Sequence, residues 1–556
     1  MAEPQSLLDC LEALPPSTDR GLRFIDAQGG EHFFAWPELT REAKRRAYAL
    51  RQKGLRQGDR LALIVPEGHD FVLSFLGAMA AGIVPVPIFP RATFKAIDTY
   101  HDTVAHTLRA SQATMLLSTL AMKPYLEAVL SRDVPVARIE TIEEVYASLG
   151  PELNCPQLHS NDLCFLQFTS GSTSQPKGVM VTHGNLIANA RAFLGPKGLD
   201  RRSDDIGVSW LPLYHDMGLI GFILGVLVMD IPVIILPTAS FARNPRLWLD
   251  TIRKHKGTLT FAPNFAYTLV VKRLHRDSLD GWDLSHLRVA GCGAEPINPH
   301  TMRAFTERLA PVGFRPEAIL PTYGMAEATL AITFADHAAS MKTDIVDAQA
   351  LQQGVAIPAE RSTQTPVELV CCGKPFPGHE LCIWDDAGTP LKERMVGEIV
   401  VRGPSVTQGY YNNAEATQAA WRDGWLLTGD LGYLADGELY ICGRSKDLII
   451  INGANHYPQD LEWLVDTLPG VRRNNVVAFS SIVDGEEKLV LIAEGASGDA
   501  QSLRSTIAST ITQSTGLAVH EVGVVPAGSL PKTSSGKVQR RKTKQLYEER
   551  ALALHP

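Results

Sequence analysis

The chain has 556 residues, of which 45% are hydrophobic and 20% charged, and its net charge is −7. At roughly 100–200 residues per domain, this length predicts several domains, and the composition is that of an ordinary globular protein. Interspersed charges of both signs disfavour a general nucleic-acid binder. Because the cysteines are scattered and form no C-x-x-C pair, zinc-ribbon and thioredoxin-like sites are disfavoured, and reduced thiols in a cytoplasmic protein are expected.

Neither the N-terminus nor the interior carries a membrane or secretion signal. The first residues include acids and prolines where a signal peptide needs a basic start and an apolar run. The most apolar stretch, Leu219–Leu236, is interrupted by Asp230 and Pro232, whereas a spanning helix needs about 20 predominantly apolar residues. This stretch is better interpreted as a buried helix followed by a buried strand, in a protein without stable membrane insertion.

Strand and helix patterns alternate through residues 1–443, which we predict to form a large N-terminal domain. The clearest strand patterns are Arg60–Val65, Val84–Pro87, Ile206–Leu211 and Val233–Leu236, and the clearest helical ones are Phe71–Ala81 and Gly218–Val228. This alternation predicts an α/β fold with helix-covered parallel sheets. The segment Asp336–Thr365 lacks it, so we expect an insertion or surface excursion there rather than a core element.

The pattern changes after Gly443. The predicted elements are a helix at Pro458–Leu468, strands at Val476–Ser480 and Leu489–Glu494 joined by a turn at Asp484-Gly485, and a helix with Leu503, Ile507 and Ile511 on one face and a stop at Gly516. We predict a hinge at residues 444–447 and a small, mobile α+β C-terminal domain at residues 448–556.

The strongest local motif is the loop Phe168–Gly178, which lies between the apolar runs Leu163–Phe168 and Val179–Val181. Its glycines, hydroxyl side chains and Lys177 offer N–H groups, hydroxyl donors and a cation, which suit phosphate oxygens. A Walker-type P-loop is disfavoured, because a proline replaces its second glycine and a glycine follows the lysine where Mg²⁺ needs a Ser or Thr.

From this loop onward the chain resembles the adenylate-forming superfamily of acyl-CoA synthetases, luciferases and peptide-synthetase adenylation domains. Six motifs in the family's order carry the resemblance: Thr169–Gly178, Gly291–Pro296, Pro321–Glu327, Leu427–Asp430, Gly443–Asp447 and Pro531–Lys537. Taken singly, several have a simpler interpretation: a flexible turn for the phosphate loop, core packing for Tyr323, a helix N-cap or turn acid for Asp430, and a flexible tail for Lys537. Together they span nearly the whole chain.

The resemblance implies an ATP site with Mg²⁺. Residues implied for phosphate are Thr169, Ser170, Gly171, Ser172, Thr173 and Lys177; for the adenosine they are Gly293, Ala294, Glu295, Tyr323, Gly324, Met325, Asp430 and Arg444. Glu327 would help to hold Mg²⁺, Lys446 would occupy the hinge position, and Lys537 would bridge the substrate carboxylate and the α-phosphate. His215 corresponds to an aromatic or histidine position near that carboxylate.

The implied reaction is the attack of a carboxylate on the α-phosphorus of ATP, which yields acyl-AMP and pyrophosphate. A carboxylate is already ionised at neutral pH, so no general base is needed. The obstacle is to bring an anion to a polyanion, and catalysis should therefore depend on positioning and on cations. A lysine on a mobile loop, such as Lys537, suits this role because it can approach and then withdraw.

Other segments resemble fatty acyl-AMP ligases, which transfer the acyl group to an acyl carrier protein. They are Leu211–Gly221, Ala262–Tyr267, Gly293–Pro296, Tyr323–Leu330 and Asn455–Asp460. Residues 336–365 fall where these ligases carry an insertion associated with the exclusion of coenzyme A; the alternative is a passive surface loop. Asp216 belongs to a motif that these ligases share, which argues against a role in binding an amino group.

The acyl pocket is less clear from sequence. Gly207, Met217, Gly221, Leu224 and Gly225 are predicted to line an acyl tunnel, and the alternative is an ordinary core helix. The basic run Lys537–Lys544 fits either a docking surface for an acidic carrier protein or a solvated face.

Three functions compete. The favoured one is a fatty acyl-AMP ligase that feeds a carrier protein of a polyketide, nonribosomal-peptide or lipid pathway, and its close rival is a fatty acyl-CoA synthetase. A non-enzymatic binding module is disfavoured, because the phosphate loop, Asp430 and Lys537 are intact.

Overall fold

The computed structural model describes residues 3–91, 97–169, 175–274, 279–363, 365–451, 453–483, 486–495, 500–533 and 536–555. Strands β1–β8 are Gly21–Ile25, Glu31–Ala35, Arg60–Leu63, Val84–Pro87, Met115–Ser118, Ile139–Thr141, Leu163–Phe168 and Gly178–Thr182. Strands β9–β17 are Gly207–Ser209, Val233–Ile235, Leu259–Ala262, Val289–Cys292, Ile319–Gly324, Ala331–Phe334, Thr343–Asp347, Pro366–Val370 and Lys374–Pro375. Strands β18–β27 are Glu380–Trp384, Gly397–Arg402, Trp421–Arg422, Trp425–Ala435, Glu438–Arg444, Ile449–Ile451, Ala454–His456, Val471–Val483, Glu486–Gly495 and Val519–Val525.

Helices α1–α9 are Leu7–Glu12, Trp36–Gln52, Gly68–Ala80, Ile97–Ser111, Lys123–Leu126, Ile142–Val145, His183–Leu194, Asp216–Leu219 and Gly225–Met229. Helices α10–α18 are Thr238–Arg243, Arg246–His255, Asn264–Arg273, Pro299–Leu309, Ala348–Gln352, Ala414–Ala420, Pro458–Asp466, Ala500–Thr515 and Arg540–Glu548. A π-helical turn, Ile220–Leu224, joins α8 to α9.

A nine-stranded sheet in the order β17-β14-β13-β12-β11-β9-β10-β1-β2 forms the centre of the large domain. From β13 to β1 neighbouring strands are parallel, whereas β2 and the β14–β17 pair at the two edges are antiparallel. Parallel strands place their carboxyl ends at one edge, where ligands of open α/β sheets bind. The loops after β9, β12 and β13 carry several of the implied site residues.

Smaller sheets complete the large domain. A four-stranded parallel sheet has the order β4-β3-β5-β6, and the antiparallel pair β7–β8 flanks the phosphate loop. Strands β18, β19, β21, β20 and β22 form an antiparallel sheet in which β21 pairs with β22. Asp430, in the middle of β21, and Arg444, the last residue of β22, are register partners. This register sets the ribose motif beside the predicted hinge.

The small domain has a core of its own. Its sheet, β25-β26-β27, packs against α16 and α17. Ile507 and Ile511 are fully buried, and Leu503 packs partly buried beside them. Helix α17 ends at Thr515, and Gly516 follows with a left-handed φ of +74°, which is the usual conformation for a glycine that ends a helix.

The predicted α/β class, with a large and a small domain, is confirmed, and β4 and β7 have the predicted bounds. The predicted helix Gly218–Val228 starts two residues earlier, at Asp216, and contains the π-helical turn. The turn at Asp484-Gly485 lies outside the described residues. The domain boundaries and the motion of the small domain stay predictions.

The expectation that residues 336–365 contain no core element is wrong. They include β15 and α14, and Val346, Leu351 and Ala356 are buried in a cluster with Tyr433. The segment is polar in composition because only one side of it faces that cluster. No helix in the described part of the chain is both long enough and apolar enough to cross a membrane.

Candidate active site

The loop after β12 brings the backbone of the large domain to Lys537. A Cβ on Gly293 would lie 2.5 Å from the hydroxyl of Thr322, so a larger residue would not fit there. Ala294 has φ +67°, an uncommon left-handed conformation for a residue with a side chain. Its carbonyl accepts a hydrogen bond of 2.5 Å from Lys537 Nζ. Backbone strain of this kind persists where the surroundings fix it, often at functional sites.

Lys537 projects from a closed loop at the start of α18. Thr533 N donates to the Lys537 carbonyl at 2.8 Å, and Lys537 N donates to the Thr533 hydroxyl at 3.1 Å. The base of the loop is closed by Gln539 N, which donates to the Pro531 carbonyl at 2.9 Å. These bonds fix the lysine backbone while the side chain reaches into the large domain.

Two carboxylates face Lys537, those of Glu295 and Asp216. Burial lowers the pKa of Lys537, whereas both carboxylates raise it. Burial raises the pKa of Glu295 and of Asp216, and the ammonium of Lys537 acts in the opposite direction on both. Glu295 Oε1 also accepts a hydrogen bond of 2.7 Å from Phe265 N. Two carboxylates therefore act on the lysine before any substrate carboxylate arrives, and burial has the larger effect on all three groups.

His215 precedes Asp216 at the start of α8. Burial, and then the positive charge of Lys537, lower the pKa of His215 to about 3. The imidazole is therefore neutral at physiological pH and adds no second positive charge beside Lys537.

Asp430 is the centre of a second group. Its Oδ2 accepts a hydrogen bond of 2.8 Å from the Tyr323 hydroxyl, and its Oδ1 pairs with Arg444 Nε at 3.0 Å. Asp430 is 6% and Tyr323 7% exposed. Gly324, which follows Tyr323, has no space for a side chain, because a Cβ would lie 1.9 Å from the Leu330 carbonyl. Met325, partly buried, leads into the turn of Glu327.

Glu327 and Lys177 both contact the side chain of Tyr410. Glu327 Oε1 accepts a hydrogen bond of 2.7 Å from Tyr410, and the Lys177 ammonium lies 4.9 Å from the centroid of the same ring. Thr169 N donates to the Lys177 carbonyl at 3.0 Å, which closes the neck of the phosphate loop. The four residues between them that were implied for phosphate, Ser170, Gly171, Ser172 and Thr173, lie outside the described residues.

Glu327 suits a magnesium ion. Within the described residues, no group of three or more His, Cys, Asp and Glu side chains is arranged to hold a metal. Mg²⁺ is commonly bound by one or two carboxylates together with substrate phosphates and water. A single buried carboxylate beside a phosphate-loop lysine fits that ligand set, and the ion would supply charge neutralisation for the phosphates.

An apolar cavity of about 740 Å³, including its open mouth, extends from these residues into the core. Asp216, Ala294 and Tyr323 line one part of it, and Phe193 and Leu259 are among the apolar residues that line it elsewhere. Helices α7 to α9 and strands β9 and β11 supply much of the wall. The cavity therefore begins at the motifs implied for the nucleotide, and its apolar lining suits an alkyl chain.

The predicted acyl residues divide into two groups. Gly207, Met217 and Gly221 line this cavity. Leu224 and Gly225 do not belong to its lining, since Leu224 is a fully buried core residue and Gly225 packs against Phe193, whose ring would lie 2.8 Å from an added Cβ. Because the π-helical turn adds a residue to the helix, regular helical spacing from Gly221 does not identify the cavity face.

Three contributions were not predicted. Tyr410 belongs to no motif, and only its position in space reveals that it contacts both Glu327 and Lys177. The shared motif that contains Asp216 argues only against a role in binding an amino group and does not indicate that this carboxylate faces Lys537. Arg540 carries no sequence signal beyond the basic run, yet it binds Asp447 of the predicted hinge at 2.8 Å.

Lys446, the residue predicted for the hinge, is exposed in the short 3₁₀ turn Ser445–Asp447. Its carbonyl accepts a hydrogen bond of 3.2 Å from Arg541. This turn directly follows Arg444, which pairs with Asp430.

Comparison with known proteins identifies the family. Residues 21–411 match the family described as AMP-binding enzyme, and residues 446–555 match the one described as Disco-interacting protein 2-like, AMP domain. The chain is 38% identical over 562 residues to a Caulobacter vibrioides protein provisionally named an acyl-CoA synthetase, with 96% of this chain and 97% of that protein covered. It is 33% identical over 566 residues to the medium-chain-fatty-acid–[acyl-carrier-protein] ligase JamA of Moorena producens, with 97% and 95% covered.

A solved structure from work on the fatty acyl-adenylate ligases of E. coli and L. pneumophila has the same fold. It superposes with a TM-score of 0.93 at 34% identity, and the match covers 99% of this chain and 98% of that one. The resemblance seen in the sequence is thereby confirmed: the chain belongs to the AMP-binding enzyme family and is an adenylate-forming ligase.

Proposed function

We propose that this protein activates a fatty acid with ATP and Mg²⁺ to acyl-AMP and pyrophosphate, and then transfers the acyl group to the phosphopantetheine thiol of an acyl carrier protein. The observation that carries the first step is the apolar cavity whose lining includes Ala294, because the carbonyl of Ala294 accepts a hydrogen bond from the Lys537 ammonium. An acid with its alkyl chain in this cavity places its carboxylate beside that ammonium.

Each group then has a role in the adenylation. Lys177, together with the phosphate loop, binds the β- and γ-phosphates, and Asp430 accepts hydrogen bonds from the ribose hydroxyls. Lys537 bridges the acid carboxylate and the α-phosphate, where negative charge builds up in the transition state. Glu295 and Asp216 oppose the lowering of the Lys537 pKa by burial and so favour the charged ammonium that this role requires.

Neutral His215 contributes a hydrogen bond near the carboxylate without adding a second cation. Glu327 helps to hold Mg²⁺, which would offset charge on the phosphates when bound. No general base is required, because the fatty acid is ionised at the pH of the reaction.

The acceptor is proposed from different observations. JamA, a full-length relative, is named as a ligase to an acyl carrier protein. The inserted segment packs through Leu351 into the same buried cluster as Tyr457 of the small domain, and α14 contacts β24. A segment that ties the two domains together restricts the swing that would open a site for coenzyme A. The name of the Caulobacter relative favours coenzyme A as the second candidate acceptor.

The test is mass spectrometry of the products from enzyme, ATP, Mg²⁺ and a panel of fatty acids. Each acid is incubated alone, with coenzyme A, and with a phosphopantetheinylated carrier protein. We expect acyl-AMP in all three incubations and its consumption only by the carrier. Lys537→Ala should reduce acyl-AMP formation by about 10²-fold or more, because one positioned charge in a water-poor site is worth several kcal/mol.

The outcomes separate the two steps. Rapid formation of acyl-CoA would make the protein an acyl-CoA synthetase and contradict the proposed acceptor. Absence of acyl-AMP with every acid would contradict the proposed substrate class. A folded Lys537→Ala protein with full activity would remove this lysine from the mechanism.

A further inference from the structure

Tyr410 contacts two of the groups proposed for magnesium and phosphate binding. Its hydroxyl donates to Glu327 Oε1 at 2.7 Å, and its ring centroid lies 4.9 Å from Lys177 Nζ. Tyr410 is 8% and Glu327 9% exposed. One side chain thus connects the carboxylate proposed for the metal with the cation proposed for the phosphates.

The backbone fixes the position of this ring. Residues 409–411 run beside β8, the strand that directly follows the phosphate loop. Met180 N donates to the Gly409 carbonyl at 3.1 Å, and Tyr411 N donates to the Gly178 carbonyl at 2.8 Å. On the other side, Tyr410 N donates to the Thr417 hydroxyl at 3.0 Å. Tyr410 is therefore held beside the strand that follows the phosphate loop, opposite Val179.

The same segment also holds the main chain of Glu327. Both the backbone N and the hydroxyl of Thr407 donate to the Glu327 carbonyl, at 2.9 and 3.0 Å. Thr329, which has a left-handed φ of +68°, donates its hydroxyl to the Ser405 carbonyl at 2.7 Å. Residues 405–410 thus bind both the backbone carbonyl and the carboxylate of Glu327.

We propose that Tyr410 is a positioning residue for the binding of MgATP, in which the hydroxyl orients the Glu327 carboxylate and the ring orients Lys177. A hydrogen bond to one carboxylate oxygen fixes the plane of a metal ligand, as second-layer groups around metals do. An aromatic ring attracts an ammonium without neutralising it, so Lys177 keeps its full charge for phosphate. The inference rests on the function proposed above.

Two substitutions separate the two contacts. Tyr410→Phe removes the hydroxyl and keeps the ring, whereas Tyr410→Leu removes both. For Tyr410→Phe we expect the Mg²⁺ concentration at half-maximal rate to rise about tenfold, while a non-hydrolysable ATP analogue binds unchanged without Mg²⁺. For Tyr410→Leu the Mg²⁺-free affinity should also fall, by about threefold, because the cation–π contact is lost. Calorimetric titration of the analogue, with and without Mg²⁺, measures binding independently of turnover.

The matched control is Tyr411→Phe, which makes the same change at the neighbouring residue, whose ring lies 5.9 Å from the Arg60 guanidinium. We expect wild-type Mg²⁺ dependence for this variant. If Tyr410→Phe shows the same Mg²⁺ dependence as Tyr411→Phe, the inference is wrong.

A double-mutant cycle distinguishes the loss of this contact from a loss of stability in the Tyr410→Phe variant. In the Glu327→Gln background, Tyr410→Phe should change the Mg²⁺ dependence no further, since the carboxylate on which it acts is gone. Additive effects would show that Tyr410 acts only through folding. If the wild-type protein forms no acyl-AMP but binds MgATP in a Tyr410-dependent way, the proposed function fails and this inference stands.

Discussion

Gly221 and Gly225 lie four residues apart on either side of the end of the π-helical turn, and their surroundings differ. A Cβ on Gly221 would meet only the Leu330 side chain, at 3.5 Å, which is ordinary contact at the cavity wall. A Cβ on Gly225 would lie 2.8 Å from both the Phe193 ring and the Ile220 carbonyl. The first glycine leaves space for a ligand, and the second allows close packing between helices.

We therefore predict opposite effects for the two positions. Gly221→Leu should fill part of the cavity and shift activity toward shorter acids, with little loss of stability. Gly225→Ala should leave the preference for acid length unchanged and destabilise the protein by about 1–3 kcal/mol, as overpacking does. Acyl-AMP formation across a series of acids and urea denaturation measure the two effects. A changed length preference for Gly225→Ala alone would contradict the assignment of the cavity wall.

A hydrogen bond joins the first residue of helix α1 to the first residue of α7. Leu7 N donates to His183 Nδ1 at 3.2 Å, so this nitrogen must carry no proton. His183 is 2% exposed, and burial lowers its pKa from 6.5 to about 4. Since the unfolded chain binds the proton more strongly, this contribution to stability is complete above pH 6.5 and is lost as pH falls toward 4.

Between pH 7.5 and pH 5.5 we expect the free energy of unfolding to fall by about 1 kcal/mol because of His183 alone. His183→Asn offers an amide oxygen in place of Nδ1 and does not titrate, so the pH dependence should be correspondingly weaker. Urea denaturation at both pH values measures this, and His159→Asn, at an exposed histidine, is the control. Equal pH dependence in the two variants would show that His183 does not titrate on unfolding.

At the scale of the whole molecule, Arg540 links the loop of Lys537 to the hinge. Its guanidinium binds Asp447 at 2.8 Å and both oxygens of Glu462 at 2.9 and 3.0 Å. Glu462 in turn accepts from Ala478 N of β25 at 3.0 Å. If the small domain turns about Lys446, these bonds make the next residue, Asp447, move together with the loop of Lys537.

We predict that Arg540→Gln reduces the rate of acyl-AMP formation by at least about tenfold, since small displacements of a catalytic group are costly. Binding of an ATP analogue should change much less than the rate, because most of its proposed contacts lie in the large domain. Single-turnover kinetics and calorimetry separate these effects. The control is Lys542→Gln on the same helix, whose ammonium bonds to Gln545 within the helix. An equal loss of rate in this control would contradict a specific link through Arg540.

The sequence by itself determined the fold class, the family and the order of the motifs. Strands and helices follow from the local alternation of apolar residues, and chemistry such as phosphate binding needs residue types at short spacing, as at Thr169–Gly178. Patterns of this kind involve residues that are close together in the sequence. They do not depend on how distant segments meet.

Only the tertiary structure decided which residues meet. The sheet brings Tyr410 beside Glu327, 83 residues apart along the chain, and no spacing rule relates two such positions. Leu224 and Gly225 do not line the cavity, because the extra residue of the π-helical turn changes the direction of every side chain after it. Residues 336–365 have a core-facing side only because Tyr433 and Tyr457 lie opposite them. Burial and contact depend on distant partners, and those partners are fixed by packing.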